Sequence, residues 1–124
     1  NPLDTPIGFS SSFLFVPGTR PERFAKALDS GADSVIIDLE DAVAEEDKDS
    51  ARAAIRTAWP TFTAEQKKRL VIRSNSPGSK FYSADLILVQ ELDAACLLIP
   101  KSESLDQING AAQILPNTAI IPMI

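Results

Sequence analysis

The sequence contains no histidine and a single cysteine. The usual general base, the usual transition-metal ligand and any internal disulfide are therefore missing together. Acid–base work would fall to carboxylates, lysine or water, and a metal site would be oxygen-rich and suited to Mg²⁺. Serine and cysteine nucleophiles have no histidine partner, which disfavours a hydrolase triad. Neither Gly-x-Gly-x-x-Gly nor a phosphate-cradling glycine loop ending in Lys-Ser/Thr is present, which disfavours nucleotide hydrolysis and dinucleotide redox. No stretch approaches the roughly 20 apolar residues that cross a bilayer. Asn1 to Ser12 lacks the basic-then-apolar pattern of a secretory signal, so a reducing, cytoplasmic setting is expected. Basic blocks are lacking too, and the formal net charge is −5. Nucleic acid is thus a poor partner, while a local anion site stays open.

What is present reads as one soluble domain over residues 1–124, 44% hydrophobic and 23% charged. Its centre is Val35-Ile36-Ile37-Asp38-Leu39-Glu40-Asp41-Ala42-Val43, an apolar run whose acids crowd its C-terminal end. After Gly31 such a run predicts a buried parallel strand. Alternation along the strand puts Asp38 and Glu40 on one face and Leu39 on the other. Buried acids require partners or a metal, because an unpaired buried charge is costly. In α/β folds the strand C-termini carry the chemistry, so these acids mark a candidate site. The alternative is that they cap the following helix.

Four further strands are predicted, at Phe13–Val16, Leu70–Arg73, Ala95–Ile99 and Ala119–Ile124, with the central one at Ser34–Leu39. Between them, Thr19-Arg20-Pro21-Glu22 and Thr63-Ala64-Glu65-Gln66 have the form of capping boxes, and Gly31 suits a helix stop. Ala51, Ala54, Ile55, Ala58 and Trp59 fall at helical spacing within Asp47–Trp59. A helix over Ser83–Glu91 should turn Leu86, Val89 and Gln90 to one side. Another from Ser104 should bury Leu105, Ile108, Ala112 and Leu115. Cys96, within Ala94–Ile99, reads as a buried strand thiol. Strands alternating with helices demand parallel pairing through right-handed crossovers. Periodicity leaves open whether the sheet is open and flavodoxin-like or part of a closed barrel.

Each candidate functional residue sits where a strand ends. After strand one come Pro17-Gly18-Thr19-Arg20, with Lys26 in the next helix. Arg20 offers a fork suited to phosphate or carboxylate, Lys26 a point charge, and the helix start adds backbone N–H groups. Solvated surface charge is the plainer reading of both cations. Arg73 ends strand three, where an uncompensated guanidinium beside a core is expensive. It is either a clamp on a substrate carboxylate or half of an ion pair with Glu40 or Asp41, and the two are compatible. Lys101 follows strand four with the same placement, a structural role being its alternative. Asn75 could serve a ligand or the loop.

These segments resemble the citrate lyase beta-subunit family, with malyl-CoA lyases among its relatives. The resemblance rests on Ser12–Phe24, Gly31-Ala32-Asp33, Val35–Val43, Val71-Ile72-Arg73-Ser74-Asn75 and Leu98-Ile99-Pro100-Lys101-Ser102-Glu103. It implies a (β/α)₈ barrel, of which about the first five strands are present here. It also implies a Mg²⁺-dependent lyase that makes or breaks a C–C bond between an acyl-CoA-type thioester and a 2-oxo acid, in a homo-oligomer, trimer or hexamer. Under that resemblance Phe15, Arg20 and Lys26 lie on the thioester side and Arg73 holds the oxo-acid carboxylate. Glu40 and Asp41 sit beside the metal's water shell and orient Arg73. The family's metal ligands, a Glu after strand five and an Asp after strand six, are expected C-terminal to Ile124. Ser74 departs from the family pattern, which leaves the substrate open. A non-catalytic CoA-ester-binding or assembly subunit of the same fold is the rival expectation.

Overall fold

The computed structural model describes residues 12–101 and 104–123. Ser102, Glu103 and Ile124, on which parts of the last motif and of strand five fall, lie outside the described residues, as do residues 1–11. Five strands, β1 (Phe13–Pro17), β2 (Ser34–Asp38), β3 (Leu70–Arg73), β4 (Cys96–Ile99) and β5 (Ala119–Pro122), form one sheet in the order β1-β2-β3-β4-β5. Every pairing is parallel. The connecting helices are α1 (Glu22–Asp29), α2 (Lys48–Ala58), α3 (Ala64–Lys68), α4 (Tyr82–Leu92) and α5 (Leu105–Ile114).

Strand order decides between the two architectures. A flavodoxin-like sheet reverses direction after its first strand and carries helices on both faces. Here each crossover steps the same way, which puts all the helices on one face. The packing agrees. Val35, Ile37, Leu39, Leu70, Ile72, Leu97 and Ile99 share one core with Phe24, Leu28, Ile55, Leu88, Val89 and Leu115 from the helices. Ile36, Val71 and Leu98 form a separate cluster on the other face, with Cys96 and Met123 against it and, among the described residues, no helix residue. An α/β sheet wound in one direction with a helix-free inner face is a partial (β/α)₈ barrel.

Several local expectations need correction. Thr19 does not cap α1: Arg20 N–H donates to Pro17 O at 3.0 Å, so a tight turn absorbs this stretch and Pro21 becomes the N-cap. Gly18 N–H is likewise taken, by Asp38 O at 2.9 Å, so it is not a free anion donor. A Cβ at Gly18 would lie 3.1 Å from Leu39 Cδ2 and 3.2 Å from Asp38 O, which is why glycine fits this approach of β1's end to β2's. Gly31 does stop α1, at φ +93°. The Thr63 box forms as expected, with Gln66 N–H donating to Thr63 Oγ1 and Thr63 N–H to Gln66 Oε1. In α4 the buried stripe is Asp85, Leu86, Leu88 and Val89, and Gln90 is exposed. In α5 the inward stripe is Ile108, Ala111 and Leu115, which rotates Leu105 and Ala112 to the outside. The helix of residues 47–59 is α2 flanked by 3₁₀ turns at Glu45–Asp47 and Trp59–Thr61.

Candidate active site at the strand ends

Parallel register sets Asp38 of β2 directly beside Arg73 of β3. Cross-strand neighbours share a face, and this is the face without helices. The Asp38 carboxylate takes the guanidinium in a two-point contact, from Nε at 2.9 Å and from Nη2 at 3.3 Å. The same carboxylate accepts the N–H groups of Glu40 at 2.9 Å and Ala42 at 3.0 Å, folding the chain beyond β2 into a turn. That turn brings Glu40 Oε1 to 3.2 Å and Asp41 Oδ2 to 3.3 Å from Arg73 Nη2. Three carboxylates thus surround one arginine, whose side chain is only 13% exposed. Asp41 does not cap a helix, because α2 begins seven residues later at Lys48.

Two more expected residues join the group. Lys101, with a left-handed backbone at φ +54°, places Nζ 3.5 Å from Glu40 Oε2. A lysine seldom holds that conformation, and such backbone outliers concentrate at working sites. The Phe15 ring lies 5.6 Å from Arg73 Cζ, a distance at which the ring face attracts a cation. Among the described residues Arg73 Nη1 has no protein partner, so one donor nitrogen remains for a ligand. Arg20 and Lys26 stand apart from these ion pairs: exposed Arg20 meets Glu22 at 3.8 Å, and Lys26 is exposed on α1. Beside Glu40 and Asp41, Lys48, Asn75, Ser76 and Phe81 help line a depression of about 390 Å³.

Sequence reasoning missed the polar group beneath the helices. Arg52 Nη1 donates to Asp85 Oδ1 at 2.8 Å, and Asp85 Oδ2 accepts both the backbone N–H and the side-chain Nδ2 of Asn75 at 2.7 Å. Burial pushes the Asp85 carboxyl up from the ordinary range, and the donors from Asn75 and Arg52 pull against that rise. Asn75 therefore serves its own loop. An acid among Leu86, Leu88 and Val89 on a helix was the available signal.

Among the described residues no group of three or more Asp, Glu or Cys is arranged to hold a metal. Asp38, Glu40 and Asp41 are committed to Arg73. These residues alone do not fit a Mg²⁺ ligand set.

Residues 11–119 match the HpcH/HpaI aldolase/citrate lyase family. A citrate lyase subunit beta-like protein of Mycobacterium tuberculosis is 42% identical over 96 residues, 77% of this chain and 33% of that protein. A (3S)-malyl-CoA thioesterase of Cereibacter sphaeroides is 34% identical over 112 residues, 90% of this chain and 39% of that one. Among solved structures, the citrate lyase beta subunit from M. tuberculosis complexed with oxaloacetate and magnesium superposes with a TM-score of 0.74 at 36% identity. That match covers 91% of this chain and 47% of the other. The chain spans between a third and just under half of the length of these relatives.

Proposed function

The chain belongs to the HpcH/HpaI aldolase/citrate lyase family, and on that premise we propose that it is the N-terminal portion of a barrel enzyme joining or separating an acyl-CoA-type thioester and a 2-oxo acid. The observation that carries this reading is Arg73, fixed at the strand C-termini by Asp38, Glu40 and Asp41 with Nη1 left over. In the proposed reaction Nη1 receives the oxo-acid carboxylate. The acids hold the guanidinium so that the ligand meets a positioned donor rather than a flexible one. Phe15 walls the approach on the β1 side, and Lys101 keeps Glu40 in place from β4. Mg²⁺ would supply charge stabilisation at the reacting oxygen. Its ligands are proposed to lie outside the described residues.

Relatives named as thioesterase and as citrate lyase subunit carry different reaction names, and the products separate them. Incubation of the full-length protein with 3-carboxy-3-hydroxyacyl-CoA thioesters and Mg²⁺ should break the C2–C3 bond and release a 2-oxo acid beside the shorter acyl-CoA, the oxo acid being detected by hydrazine derivatisation. Arg73→Ala should lower kcat/KM by about 10³-fold, the cost of truncating one member of a buried charge pair that also meets the ligand. Free CoA thiol without oxo acid would replace the lyase reading by hydrolysis. Metal-independent binding of acetyl-CoA with no turnover would favour a non-catalytic subunit.

A further inference from the structure

Lys48 opens α2, a place where lysine is ordinarily solvated, yet it is 5% exposed. Its Nζ donates to Leu39 O at 2.8 Å, Glu40 O at 3.0 Å and Val43 O at 3.1 Å. An ammonium has three N–H donors, so all of them are spent within one short stretch of chain. The Phe81 ring covers the charge at 5.4 Å. All three acceptors belong to the loop that carries Glu40 and Asp41. From the opposite side Asp38 holds that loop's amides, at Glu40 and Ala42. The loop is thus pinned through its carbonyls by Lys48 and through its N–H groups by Asp38.

We infer that Lys48 is a positioning residue: it fixes the 39–43 loop so that Glu40 and Asp41 meet Arg73, an inference that rests on reading Arg73 as the carboxylate clamp. Lys48 itself touches no ligand-facing atom of Arg73, so its effect must pass through the loop. Packing alone does not call for an ammonium here. Methionine would fill much the same space while leaving three carbonyls without their donor, and the loop would turn to recover partners.

The test uses Lys48→Met and Lys48→Gln in the full-length protein, at a temperature where each is folded. In Lys48→Met, kcat at saturating substrate should fall by about 100-fold, the scale of an ångström's misplacement at a reacting group. KM for the thioester should move by less than about 3-fold, because the loop is not the thioester side. Lys48→Gln keeps two N–H donors and should recover part of the loss. Hydrogen exchange at the amides of Glu40 and Ala42 should quicken by about 10-fold or more, with Ile37 of β2 unchanged. A folded Lys48→Met with parental kcat overturns the inference, as does a lowered melting temperature with unchanged loop exchange. Should Lys48→Met not fold, parental kcat in Lys48→Gln overturns it. If the parent releases no oxo acid from any thioester, the clamp reading fails by itself. The exchange measurement then still decides whether Lys48 holds the loop.

Discussion

Each face of the sheet holds a nearly buried arginine, and the two are used in opposite ways. On the helix side Arg52, bonded to exposed Asp49 and to Asp85, joins α2 to α4, and Asp85 in turn fixes the Asn75 loop. Asp85 is fully buried and both its oxygens are occupied by protein donors. On the helix-free side the acids around Arg73 grade outward, from Asp38 at 4% exposed through Glu40 at 11% to Asp41 at 76%. In the first network the Arg52–Asp85 pair is sealed and holds architecture, with Asp49 only an outer partner at the surface. The second is firm at its base, open at its rim and, among the described residues, leaves Nη1 of Arg73 without a partner. Burial of a charge pair therefore says little about purpose until the exposure of each partner is known.

Breaking the sealed pair should give the largest effect on stability. Arg52→Met leaves Asp85 as an uncompensated buried charge and should cost about 3–5 kcal/mol in urea unfolding. The double variant Arg52→Met/Asp85→Asn should recover part of that loss, because it removes the buried charge and keeps an amide oxygen to accept from Asn75. The pH dependence has a definite sign. A carboxyl raised above its unfolded value of 3.8 contributes stability that is full below the ordinary carboxylate range and lost as pH rises through its folded value. Without Arg52 that rise grows, so the penalty of Arg52→Met should be greatest near neutrality and shrink as acid protonates Asp85. A penalty independent of pH would show that Arg52 acts through packing alone.

The graded network makes a ranked prediction. Asp38→Asn loses the two-point charge contact at the buried base and should cost about 1–3 kcal/mol of stability as well as activity. Glu40→Gln should fall between the extremes. Asp41→Asn, at the exposed rim, should change stability by less than about 1 kcal/mol. Equal costs for Asp38 and Asp41 would remove the distinction between base and rim. The smallest effect concerns Cys96, half-buried on the Arg73 face, whose thiol is pushed up by burial. Iodoacetamide at pH 8 should alkylate it about 3-fold or more slowly than a free cysteine, because its thiolate fraction is lower. The rate should keep rising with pH beyond the point where free cysteine levels off.

How much of this was legible in the residues follows the range of the interactions. Leu70–Arg73 announced a strand because four successive residues carry the signal, and Thr63 announced its cap because the partner is three residues away. Asp38 with Leu39 opposite followed from the pleat, but β2 ends at Asp38 and Glu40 reaches the same group through the turn beyond it. Thr19 misled because the same backbone could close a tighter turn onto Pro17. Lys48 and Arg52 were illegible because a charge in a helical pattern reads as solvent-facing. Asp85, set among apolar neighbours, was missed because its partners Asn75 and Arg52 lie 10 and 33 residues away. Leu105 and Ala112 were assigned inward by spacing, but a rotation of one residue suffices to expose both.

Arg73 is proposed to keep Nη1 for a carboxylate while Asp38, Glu40 and Asp41 hold Nε and Nη2. Calorimetric binding of pyruvate and of its neutral amide to the full-length protein and to Arg73→Gln tests this most directly. The parent should prefer pyruvate by about 10–100-fold, the worth of one charge-assisted hydrogen bond, and Arg73→Gln should bind the two alike. An unchanged preference in Arg73→Gln would contradict the account.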